Sequence, residues 1–213
     1  MGVGHHYNYK MRKFEKIVGL IAVVGLVLKI ALIPGGGFLL SITLGILSMF
    51  YFAFSFALFN GIRLRDIFKS DSYQNTNAKR TIGAVVLGIS LSELLIGSLF
   101  KIQFLPGSAV MLNVGLLGTL IVLIISVISY FRNKADFYKR VFKRIAVFGV
   151  FGLVVYLVPT PTLVDIFNRN NPEYAELFKK VLANPGNVEF QEQLDSLQIE
   201  IYKKEVEEAQ RGK

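Results

Sequence analysis

Apolar and polar positions follow one another along this chain in long blocks. Five apolar runs stand out: residues 17–33 with one lysine, 38–59 with no charge, 81–100 with one glutamate, 109–131 with no charge, and 145–158. Crossing the roughly 30 Å hydrocarbon core of a bilayer takes about 20 apolar residues of helix. The first four runs reach or approach that length and predict transmembrane helices. The fifth has fourteen residues, which alone fits an interfacial or re-entrant segment as well as a span. Extended back to Val141 it takes in Lys143 and Arg144, whose long side chains can snorkel to the head groups. It is read here as a fifth span. Any one run could be a buried helix of a soluble protein, but four of them in 213 residues leave too little polar surface to clothe them. The predicted class is an all-α integral membrane protein.

The punctuation between runs repeats. Residues 25–44 (GLVLKIALIPGGGFLLSITL) and 97–116 (GSLFKIQFLPGSAVMLNVGL) lie 72 positions apart. They match without a gap at Gly25/Gly97, Lys29/Lys101, Ile30/Ile102, Pro34/Pro106, Gly35/Gly107, Leu40/Leu112 and Leu44/Leu116. The rare residues match along with the common ones: one lysine and, five positions on, a Pro-Gly. Pro34 and Pro106 stop a helix, and Gly35 and Gly107 supply the tight reversal. Links so short force their flanking spans into antiparallel hairpins, at 17–60 and 81–131. Each unit holds two spans, so both hairpins enter the membrane in the same direction, as a parallel repeat.

Composition agrees with the pattern: 53% of residues are hydrophobic, and the mean hydropathy is +0.49. A net charge of +9 would suggest nucleic acid for a soluble chain, but its placement gives a different account. The basic residues gather in residues 1–16 (Lys10, Arg12, Lys13, Lys16), in 61–80 (Arg63, Arg65, Lys69, Lys79, Arg80) and in 132–144 (Arg132, Lys134, Lys139, Arg140, Lys143, Arg144). Lysine and arginine accumulate on the cytoplasmic side. The N-terminus and the two loops are therefore expected in the cytoplasm, and the membrane is the inner (plasma) membrane. Five spans then put the tail, 159–213, outside the cytoplasm. With no cysteine there is neither a disulfide nor a thiolate metal site. The first run continues past signal-peptide length without a small-x-small site, so it reads as an uncleaved helix. His5 and His6 are adjacent and have no third ligand nearby, so residues 1–16 read as a cationic tail beside anionic lipid and no metal or other cofactor is expected.

The tail changes character after Pro159-Thr160-Pro161. Asn171-Pro172-Glu173 makes a helix start, with an N-cap, a proline at the first position and an acid near the dipole. Tyr174, Leu177, Phe178, Val181 and Leu182 mark one apolar face, Asn184-Pro185-Gly186 breaks it, and Phe190, Leu194, Leu197 and Ile201 mark a second. Two amphipathic helices joined by a turn should pack on each other, on the membrane domain or on a partner. Within the spans, Gly88 and Ser92, Glu93 and Gly97, and Ala53 and Ala57 have the spacing of helix-packing faces. The phenylalanines of residues 50–59 read as lipid-facing bulk and an interfacial belt.

Three intramembrane residues carry candidate chemistry. Lys29 and Lys101 each lie five residues before a Pro-Gly, about 7 Å from the helix end. They either snorkel outward or face the bundle and line an ion or proton site. Glu93 is the one acid inside a span and is expensive there unless protonated or paired. It shares a helical face with Lys101 but lies about 12 Å below it. HExxH, GxSxG, a P-loop and paired intramembrane aspartates are all missing, so no enzyme is expected.

The run Gly97, Leu99, Phe100, Lys101, Ile102, the glycine-containing turn, and Met111, Leu112, Gly115, Leu116, Leu117 resemble the N-terminal transmembrane hairpin of GldL-type proteins. That family includes the inner-membrane motor subunit of the gliding-motility and type IX secretion apparatus. The first hairpin resembles it through Lys29, Ile30, Pro34, Gly35 and Leu40. The resemblance implies that Lys29 and Lys101 are the family lysines. The motor proteins carry an acid in the second span of the hairpin, whereas residues 44–54 and 116–126 have none, and Glu93 lies on the other helix. The motor role therefore does not transfer. The expected function is a non-enzymatic structural or accessory subunit of a cell-envelope complex. It would have a protein partner, or a second copy, bound through membrane helices or residues 160–213. The alternative is a small proton- or ion-coupled transporter or channel using Glu93 with Lys101 or Lys29.

Overall fold

A computed structural model describes residues 9–74 and 76–211, and His5 and His6 lie outside them. Among the described residues the fold is all-helical. The helices are α1 (Tyr9–Ile30), α2 (Gly36–Asn60), α3 (Ala78–Ile102), α4 (Ser108–Asn133), α5 (Asp136–Arg144), α6 (Val150–Leu157), α7 (Thr160–Phe167), α8 (Pro172–Ala183) and α9 (Val188–Arg211). A π-helical turn, Ile145–Gly149, joins α5 to α6, and two short 3-10 turns lie between α2 and α3. The chain divides into two compact units at Val158/Pro159.

In the first unit α1 packs on α2, α2 on α3 and α3 on α4, while the π turn and α6 lie against α3 and α4. The central helix, α3, buries Ala84, Leu87, Leu91, Leu94 and Leu95 almost completely. Small residues allow the close approach that helices need where no hydrophobic effect drives them together. A Cβ on Gly25 would sit 2.8 Å from the backbone nitrogen of Leu40, and one on Gly97 would sit 2.8 Å from that of Leu112. Gly88 faces Ser55 and the carbonyl of Tyr51. Ser48 and Ser92 share a 2.7 Å hydrogen bond across the α2–α3 contact. Gly88, Ser92, Gly97 and Ala57 are thus packing residues, whereas Ala53 is exposed and Glu93 partly so. The aromatic residues of α2 divide between two environments. Phe52 faces outward, but Phe50 and Phe59 are buried, as is Tyr51, which corrects the lipid-facing assignment for those two phenylalanines.

Three helices, α2, α3 and α4, are long and apolar enough to cross a membrane; a fourth span results if the broken stretch Asp136–Leu157 and Thr160–Phe167 counts as one. This is a multi-pass helical membrane protein by length and composition. The first apolar run is not in that set, because charges at both ends of α1 leave twelve uncharged residues, 17–28, between Lys16 and Lys29. The segment 132–144 is largely the helix α5, not the loop expected. Its Phe137, Tyr138, Val141 and Arg144 are buried. Arg144 therefore does not snorkel to head groups.

Both hairpin turns have the same backbone. Helices α1 and α3 end with a left-handed residue, Leu32 and Phe104, each at φ 58°, followed by Gly35 at 85° and Gly107 at 86°. In the first turn Ile33 N–H donates to the Leu28 carbonyl (2.9 Å) and Leu32 N–H to that of Lys29 (3.1 Å). In the second, Leu105 donates to Phe100 (2.8 Å) and Phe104 to Lys101 (3.3 Å). These are paired six-to-one and five-to-two bonds that satisfy the last helical carbonyls.

In the second unit α8 and α9 pack on each other and α7 packs on α8. Asn171 precedes α8 but makes no side-chain capping bond, while the Asn187 side chain accepts from Phe190 N–H (3.2 Å) at the start of α9. Lys179 bridges Asp165 of α7 (2.9 Å) and Glu176 (2.6 Å). Those two carboxylates, Glu176 first, hold the ammonium above the usual lysine range. Burial and then the Asp195 carboxylate push the Tyr174 phenol upward.

Candidate functional site

The first turns of α1 are amphipathic: Met11, Glu15, Val18 and Ala22 fall on one face at helical spacing, and all four are buried. That face carries one polar group, the Glu15 carboxylate, and the chain returns a cation to it 129 residues later. Arg144, at the end of α5, grips it with both arms of its guanidinium. Nε donates to Oε1 (2.8 Å) and an outer nitrogen donates to Oε2 (2.6 Å). A planar fork matches a carboxylate in this way, so the pairing is directional as well as electrostatic. The Tyr51 hydroxyl of α2 donates to the same Oε1.

The surroundings keep this group dry. Glu15 is 8% exposed, Arg144 7% and Tyr51 fully buried. The guanidinium carbon sits 5.0 Å from the centre of the Phe59 ring. The Tyr51 ring meets Phe148 of the π turn edge-on at 5.2 Å. Beside it Arg140 Nε donates to the Phe59 carbonyl (2.9 Å), fastening α5 to the end of α2. The π turn begins at the residue after Arg144. Its one extra residue swings the following helix by about 100°. That phase change lets Arg144 meet α1 and α2 while Gly149 and Gly152 of the next turns lie against Thr119 and Leu94. The Thr119 hydroxyl is buried without a hydrogen-bond partner, alone in this respect among the described side chains.

The arrangement is a clamp between three helices. Both carboxylate oxygens are engaged, no nucleophile adjoins them, and no three potential metal ligands cluster among the described residues. In the sequence Glu15 is masked by the four basic residues around it. One signal was available: it is the single acid in the first 65 residues.

The residues singled out from sequence lie elsewhere and apart. Lys29 Nζ donates to Gln103 Oε1 (2.7 Å), and Gln103 in turn donates to the Gly37 carbonyl (3.1 Å) and the Ser41 hydroxyl (2.6 Å). Lys101 Nζ donates to the Tyr156 carbonyl at 2.7 Å and lies 5.8 Å from that ring's centre. The two lysines thus link the hairpin turns to neighbouring helices, α1 to the end of α3 and α3 to α6. Pro34, Gly35, Pro106 and Gly107 form the turns themselves. Glu93 joins neither lysine and, among the described residues, has no hydrogen bond or ion pair. No protein-family model, curated protein or solved structure matches this chain.

Proposed function

We propose that this protein is a non-enzymatic structural or accessory subunit of an inner-membrane envelope complex, with residues 160–213 as its docking element. One observation carries the reading: three charged side chains of the membrane unit bond across helix contacts. Glu15 holds Arg144, Lys29 holds Gln103, and Lys101 holds the end of α6. A solute path needs polar groups facing each other across a hydrated gap, whereas these meet at bonding distance. The tail is a separate compact unit whose last helix is long and charged, which suits a second protein.

The GldL-type resemblance supports an envelope assembly. The 72-residue offset shared by the sequence matches, the turn angles and the Gly25–Leu40 and Gly97–Leu112 approaches supports a duplicated hairpin. The basic segments support a cytoplasmic N-terminus and, if α1 and the α5–α6 stretch also cross, an extracytoplasmic tail.

Cross-linking and pull-down from native membranes tests the assignment. The full chain should retain a partner that deletion of 160–213 removes, while Glu93→Gln keeps it. Retention of the same partner without the tail would refute the docking role. The transporter reading has one observation in its favour, the unpaired Glu93. It requires that Glu93→Gln abolish a proton- or ion-dependent flux in liposomes.

A further inference from the structure

Helix α3 has two faces. Its inward face fills the centre of the membrane unit. Its outward face carries Ile82, Val86, Ile89, Glu93, Ile96 and Phe100, spaced by four, three, four, three and four residues. Ile82, Val86 and Ile89 are exposed, and Glu93, Ile96 and Phe100 are partly exposed. That spacing is a heptad seam, the pattern by which one helix receives the knobs of another. Among the described residues no element fills it.

Glu93 stands in the seam about 22 Å from the start of α3 and about 14 Å from its end, so in the middle third of the helix. The hairpin itself does not require a carboxyl here. At the matching position of the first hairpin, 72 residues earlier, stands Ile21, which is also outward-facing at 37% exposure. A carboxyl group open to hydrocarbon calls for a polar partner.

We propose that two copies of this chain pair in the bilayer through the outward seam of α3, with the two Glu93 side chains meeting at its centre. A second copy supplies what the seam lacks. A carboxyl with one proton both donates and accepts, so the same residue brought round by a two-fold axis satisfies it with no other side chain. A single polar residue in an otherwise apolar seam also fixes register. A foreign helix would have to bring its own cation or amide to that depth, and between Ile82 and Phe100 the rest of this face offers it no charge to recognise. The pairing is independent of the docking role of residues 160–213 and survives their removal.

The absence of cysteine makes the test direct. Ile89→Cys and Ile96→Cys, each with Glu93 intact, are oxidised with copper phenanthroline in native membranes. Val114→Cys and Ile121→Cys on the exposed face of α4 serve as controls. The α3 positions should give a product of twice the 23.8 kDa chain mass, and the α4 positions should not. Adding Glu93→Leu should lower the dimer yield about tenfold, the scale of one interhelical hydrogen bond in lipid; Glu93→Gln, which still donates and accepts, should preserve it. Equal cross-linking from α3 and α4, products formed only with other proteins, or an unchanged yield with Glu93→Leu would overturn the proposal. Deleting 160–213 should leave the cross-link intact, so loss of the docking reading and loss of this one are separate results.

Discussion

At one end of the membrane unit α1 is tied to α5 by two full charges taken out of water; at the other, the hairpin turns are tied by lysines that remain half-wet and bond to neutral oxygens. The ties look alike as distances, 2.6 to 2.8 Å, yet their energetics differ in kind. Removing one partner at the dry end strands a buried charge, while at the wet end water replaces what is lost. The halves of the dry end therefore depend on each other, whereas the wet end is a set of separable attachments.

The largest effect expected is at the dry end. Glu15→Ala or Arg144→Ala should each destabilise the fold by about 3–5 kcal/mol, measured by unfolding in detergent or bicelles. The double replacement Glu15→Leu with Arg144→Met should restore most of that. Additive losses would mean the two residues act separately and would break the comparison. Between the ends, Gly25→Val and Gly97→Val should cost about 1–3 kcal/mol by forcing the hairpin helices apart. Gly19→Val and Gly45→Val, at positions with open space, should cost little. At the wet end, Lys29→Met and Gln103→Ala should each cost about 1 kcal/mol. A loss as large as that of Arg144→Ala would erase the distinction.

The smallest effect lies in the loop between α2 and α3. The hydrogen bond from Lys69, followed by the charges of Lys69, Arg63 and Arg65, holds the Asp66 carboxyl below the usual carboxylate range. Its folded value being the lower one, the contribution is present above the unfolded carboxylate value and is lost as pH falls through the folded value. Carbon-detected NMR titration should place the Asp66 midpoint below that of a model peptide, and Lys69→Met should raise it.

The sequence made the hairpins legible because their signals are local. Pro34-Gly35 and Pro106-Gly107 separate the apolar runs, and α2, α3 and α4 follow from those runs with boundaries close to the predicted ones. Helix α5 was hidden because six basic residues in 132–144 outweigh Phe137, Tyr138 and Val141 in any composition window. The clamp was hidden for another reason: pairing Glu15 with Arg144 is a tertiary fact across 129 positions, and periodicity carries nothing about it. Glu93 was visible, since an acid in an apolar run announces itself. Its direction was not, because that depends on which face of α3 the π turn and α6 cover. The left-handed Leu32 and Phe104 were equally illegible, glycine being the residue expected there.

The distance in sequence between the two members of the clamp also sets an order of events. Translation at about 5–20 residues per second puts Arg144 roughly 6–26 s behind Glu15. During that wait the Glu15 carboxylate lacks the guanidinium that grips it in the finished fold. Closure of the clamp is therefore a late step of synthesis, and a nascent chain halted before residue 144 cannot make it.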